Sequence, residues 1–101
     1  MTATGTDLAI KPELKVERPR LYKVILLNDD FTPRAFVVRI LKAEFRMNET
    51  QARQVMITAH QRGACVVAVF VQDIAETKAT RATDMARKEG YPLLFTTEPE
   101  T

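Results

Sequence analysis

Apolar positions in this chain fall into six short stretches, each with its own spacing. Residues 21–27 (Leu-Tyr-Lys-Val-Ile-Leu-Leu) form a β-prone run of strand length. The run stops at Asn28-Asp29-Asp30, whose short polar side chains bond nearby backbone groups and favour a turn. From Thr32-Pro33 onward the spacing turns helical. Phe36, Val37, Ile40, Leu41 and Phe45 make one stripe, with Arg39, Lys42 and Glu44 outside it. Thr32 is a suitable N-cap for this helix and Pro33 a suitable first residue, since that position has no N–H to lose. A second helix is predicted after Asn48, with Gln51 as a capping-box partner and Gly63 as its C-terminal cap. Its stripe is Ala52, Val55, Met56, Ala59 and His60. Residues 64–71, apolar throughout, predict a buried strand. A third helix is predicted over 74–88, with Ala75, Ala79, Ala82 and Ala86 on one side, small enough for close approach to a sheet. Gly90 caps it, and residues 93–97 predict a last short strand.

The order β-α-α-β-α-β with short connections predicts an α+β fold: one small domain, a three-stranded antiparallel sheet packed against three helices. Residues 1–20 hold Thr, Gly, Lys, Glu and two prolines without sustained periodicity, and read as a flexible N-terminal tail. The core is expected over 21–98, followed by a short end at 99–101.

Bulk properties narrow the function. A chain of 101 residues with 46% hydrophobic content suits a single domain with a true core. The net charge of +2 comes from Lys and Arg interleaved with Asp and Glu, not from the basic stripe of a nucleic-acid binder. There is no apolar N-terminal run of signal-peptide length, and no run long enough to span a membrane. The lone Cys65 excludes an internal disulfide framework. A soluble, cytoplasmic protein is expected.

Catalytic chemistries find little support. Asp29, Asp30 and His60 are metal-ligand types, but adjacent carboxylates on a turn cannot readily face one ion, and no second His or Cys ligand joins them. Cys65 lies in an apolar strand, where a thiol is inert. No Gly-rich phosphate loop is present. The expectation is a binding module, not an enzyme, with no metal or other cofactor. His60 has two readings: a helix-end histidine placed for the helix dipole, or part of a site. It shares a helical face with Met56 and Ala59, so a polar ring borders an apolar patch. Asn28-Asp29-Asp30 likewise reads as turn punctuation or as a set of acceptors. A polar turn and ring beside an apolar patch suit a ligand that is both cationic and greasy.

The run Tyr22-Lys23-Val24-Ile25-Leu26-Leu27-Asn28-Asp29-Asp30-Phe31-Thr32-Pro33 resembles the signature of the ClpS family. The likeness continues with Met56, the His60-x-x-Gly63 helix end, Val69-Phe70, Ala75-Glu76-Thr77-Lys78 and Pro92-Leu93-Leu94. It covers residues from about Arg20 to Glu98, with the motifs in the family's order and spacing.

The resemblance implies an adaptor for N-degron (N-end rule) substrates. Such an adaptor grips a free N-terminal Leu, Phe, Tyr or Trp and delivers the protein to the ClpA unfoldase of the ClpAP protease. By the same resemblance, Asn28, Asp29 and His60 hold the α-amino group, and Thr32, Val37, Met56, Ala59 and Leu93 line the side-chain pocket. Asp30 and Arg34 fall on its rim. The physics is consistent: an α-ammonium is costly to desolvate unless its three N–H donors find acceptors. Burying the side chain adds about 1.5–3 kcal/mol. Asp73, ahead of the third helix, and Lys78, within it, are the implied unfoldase contacts, and the tail is implied to engage the unfoldase during hand-off. The sequence departs from the family pattern at Arg34, where Met is common, at Ala59, where a larger aliphatic is usual, and at Asp73, where Glu is usual. Two other readings compete: an interaction domain of ribosomal-stalk-like fold that ignores N-termini, and a metal-dependent hydrolase built on Asp29, Asp30 and His60.

Overall fold

The computed structural model describes residues 18–101, so the tail expected over residues 1–20 lies almost wholly outside the described residues. Six elements follow in the expected order: β1 (Leu21–Leu27), α1 (Arg34–Phe45), α2 (Glu49–Arg62), β2 (Ala64–Val71), α3 (Gln72–Lys88) and β3 (Leu94–Pro99). β1 is central, antiparallel to β2 on one side and to β3 on the other.

Alternation along β1 sends Val24 and Leu26 into the core, where both are fully buried. Leu26 pairs with Cys65 on β2 and with Phe95 on β3. The alanine side of α3 packs on this face, with Ala75, Ala79, Ala82 and Ala86 all buried. α2 packs beside β2, and α1 crosses α2 and α3, adding Ile40 and Leu41 to the core. Each of these large buried side chains contributes about 1.5–3 kcal/mol.

The ends of the helices follow local rules where the sequence supplies them. At α2, the Asn48 side chain accepts from Gln51 N at 2.8 Å, and Gln51 Oε1 accepts from Asn48 N at 3.1 Å. Gly63 closes that helix at φ 90°, a conformation that favours glycine. After α3, Tyr91 N donates to Ala86 O and Gly90 N to Arg87 O, the paired bonds of a Schellman turn. Elsewhere the structure corrects the sequence reading. α1 begins at Arg34 with Pro33 as its N-cap, and no side chain caps it, because the Thr32 hydroxyl is engaged elsewhere. α1 ends at Arg46 in the left-handed region, φ 56°, without a glycine. α3 starts at Gln72, so Asp73 sits in its first turn and not ahead of it.

Two burial assignments also change. Glu44, expected outside the α1 stripe, is buried, and Val38 joins it. β2, expected to be buried, is an edge strand with no fully buried residue; Val66 and Val69 are 46% and 40% exposed. Its partner register also slips between Val24 and Ile25, leaving Val67 unpaired in a bulge. The helices cover only the Val24–Leu26 face of the sheet, so an all-apolar edge strand must show one side to solvent.

Candidate functional site

The turn after β1 is built by one side chain. Asp29 Oδ1 accepts from the backbone N–H of Phe31 and of Thr32, both at 2.8 Å. The Thr32 hydroxyl lies 3.0 Å from Oδ1 and 2.9 Å from Oδ2 and can donate to only one of them at a time. An ionised carboxylate offers about four acceptor positions, so Oδ2 keeps capacity for a further donor. The backbone N–H of Asn28 donates to Gly63 O at 3.0 Å, which ties the start of this turn to the end of α2. That end carries His60, exposed in the last turn.

Between these two segments lies a pocket of about 330 Å³. Such a volume sits at the lower end for small-ligand sites and suits one side chain. Asn28, Asp29 and His60 line it on the polar side. Val37 from α1, Met56 and Ala59 from α2, and Leu93 from the segment before β3 line it on the apolar side, all four buried. Thr32, Asp30 and Arg34 complete the predicted set around the same cavity. Ten residues singled out from sequence therefore converge on one pocket. The residues named one by one from sequence left out Leu26, Leu27, Phe31 and Pro33 of its lining, the last two having entered only as part of the turn Asn28 to Pro33. Leu26 and Leu27 are where the strand meets the turn, and Phe31 lies inside the turn itself and is 80% exposed. An apolar residue directly after three polar turn residues is a signal that could have singled it out.

Asp73 and Lys78 lie away from this pocket, on α3. Asp73 is exposed. Lys78 is half-buried and holds α3 against α1, because its Nζ donates to Glu44 O at 2.9 Å and lies 3.8 Å from Glu44 Oε2. Cys65 is free, and burial pushes its thiol up from its ordinary pKa, against a smaller opposing pull from Arg62. That leaves it a poor nucleophile. Among the described residues, no three His, Cys, Asp or Glu side chains gather closely enough to hold a metal ion. No helix among them is long and apolar enough to cross a membrane.

The chain is similar to known proteins over most of its length. The family described as "ATP-dependent Clp protease adaptor protein ClpS" matches residues 17–96. The ATP-dependent Clp protease adapter protein ClpS 1 of Rhodopseudomonas palustris is 72% identical over 90 residues, covering 89% of this chain and 87% of the relative. The protein of the same name from Bradyrhizobium diazoefficiens is 70% identical over 98 residues, covering 93% and 97%. Among solved structures, Agrobacterium tumefaciens ClpS2 bound to L-phenylalaninamide superposes with a TM-score of 0.81 at 63% identity. That match covers 82% of this chain and all of the other.

Proposed function

This chain belongs to the ClpS family of ATP-dependent Clp protease adaptors, and on that premise we propose that it recognises N-degrons. It takes up the free N-terminal Leu, Phe, Tyr or Trp of a protein and passes that protein to a ClpA-type unfoldase in the cytoplasm. Asn28, Asp29 and His60 accept from the α-ammonium, while Thr32, Val37, Met56, Ala59 and Leu93 surround the side chain. Family membership displaces both the stalk-like reading and the hydrolase reading.

One observation carries the proposal: acceptors and apolar walls share a cavity sized for one residue. Phenylalaninamide, bound by the Agrobacterium relative, has a free amine, a benzyl side chain and an amide where the next peptide bond would stand. It is the least molecule that needs both halves of such a cavity. The loop is already held by Asp29, so little ordering cost is left to binding. On the delivery side, exposed Asp73 is the stronger of the two proposed unfoldase contacts, because Lys78 is partly committed to Glu44.

Fluorescence anisotropy with peptides that differ only at residue one tests this reading. Phe-, Tyr-, Trp- and Leu-initiated peptides should bind, while Met-initiated and N-acetylated ones should not. Affinity should fall on the alkaline side as the peptide amine loses its charge. Equal binding of Phe-initiated and acetylated peptides would end the proposal.

A further inference from the structure

Beside the pocket, a second depression of about 540 Å³ runs between α1 and α2 and shares Arg34 and Met56 with it. Its ionic lining is one-sided. Arg34, Arg39, Lys42 and Arg53 face a single carboxylate, Glu49, an excess of three positive charges. That carboxylate is already divided, because Oε1 accepts from Lys42 Nζ and Oε2 from Arg53 Nε, each at 2.8 Å. Lys42, through its hydrogen bond and then its charge, holds the Glu49 carboxyl below its ordinary pKa. Arg39 leans over the Phe36 ring at 5.1 Å, and Arg34 forms no ion pair among the described residues.

Arg34 is the least expected of these cations. It is the first residue of α1, where the helix dipole favours anions, and the first turn has no Asp or Glu. For the helix alone, a cation there is unfavourable. It becomes favourable when an anion arrives from outside the chain. A substrate held by its first residue must leave the pocket over the rim, and Arg34 and Met56 are the two residues that the pocket and the groove share. Each further residue advances the chain by at most about 3.3–3.6 Å, so residues two and three come within reach of this groove.

We propose that the α1–α2 groove is a second substrate subsite, in which Arg34 reads an aspartate or glutamate side chain at residue two or three of the bound N-terminus. This rests on the N-degron reading above and adds a charge preference to it. The groove selects among proteins that share a first residue.

The test uses the full chain and Phe-initiated peptides carrying Glu, Gln or Lys at residue two or three, with an acetylated control. The readout is the ratio of Lys-peptide to Glu-peptide dissociation constants, which cancels any change common to both. A ratio of about five to ten is expected at low salt, the size of one or two partly exposed ion pairs gained in one peptide and repelled in the other. It should shrink toward about two in roughly 0.5 M salt. Arg34→Met should collapse the ratio, with Arg39→Gln reducing it as a second variant. Glu49→Gln, which frees Lys42 and Arg53, should raise it. A ratio near one, with Phe peptides still beating the acetylated control, overturns the subsite and leaves the N-degron reading standing. A ratio indifferent to Arg34→Met and Glu49→Gln overturns its assignment to this groove. No discrimination against the acetylated control removes both.

Discussion

One carboxylate, that of Asp29, carries both the turn and the proposed ligand role. Oδ1 holds the turn through Phe31 and Thr32, and Oδ2 retains room for a ligand donor. Asp29→Ala should therefore cost both binding and stability. Loss of a charged acceptor for an ammonium predicts roughly 1.5–3 kcal/mol of affinity, and freeing two loop N–H groups predicts about 1 kcal/mol of stability. Thr32→Val keeps the carboxylate but loses the hydroxyl that steadies it, so binding should weaken several-fold with a smaller change in urea midpoint. Peptide anisotropy and urea unfolding on both variants separate the two contributions; full-strength binding by Asp29→Ala would remove it from the cradle. Residue types made Asn28, Asp29 and His60 candidates, and the structure puts all three on the lining of one pocket. The bond from Thr32 to Asp29 was hidden, because a threonine before proline reads equally well as a helix cap.

At the scale of elements, the junction of α1 with α3 depends on a charge inside the core boundary. The Glu44 side chain is only 7% exposed and lies 3.3 Å from Arg81 Nε and 3.8 Å from Lys78 Nζ. Glu44 follows Ile40 and Leu41 by one helical turn, so spacing alone places it on the stripe, while its charge argues for the outside. The two cations that reconcile these belong to a helix more than thirty residues on, beyond any local pattern. Glu44→Ala should lower stability by about 2–3 kcal/mol in urea unfolding, less than a fully buried pair because Arg81 is largely solvated. Lys78→Ala should cost about 1 kcal/mol through the lost bond to the Glu44 carbonyl. If Lys78→Ala leaves the midpoint unchanged, its bond to Glu44 is idle and the residue is free for a partner. β2 escaped the sequence reading for a related reason. An unbroken apolar run signals two covered faces, yet here the helices cover one, and the other carries half-exposed Val66 and Val69.

At the scale of the whole molecule, element order was readable because each change of spacing coincides with a turn or cap. Which strand lies in the middle was not, since β1 finds β3 some seventy residues away, with Lys23 opposite Glu98. That pairing brings Glu100 N to Leu21 O at 2.9 Å, at the end of β1 opposite the pocket. Leu21 thus stands about 20 Å from the pocket end of the sheet, the length of a seven-residue strand. The mechanical consequence depends on where the molecule is held. Pulled at residues 18 and 101, the β1–β3 ladder opens like a zipper, one bond after another from the Leu21–Glu100 end. Pulled from its front against a load anchored beside the pocket, β1 is sheared along both neighbours, and all its bonds resist together. Optical-trap handles at residues 18 and 61 should give a clearly higher rupture force than handles at residues 18 and 101, and equal forces would refute the argument. The fold should resist more along the line from residue 18 to the pocket than across the β1–β3 ladder.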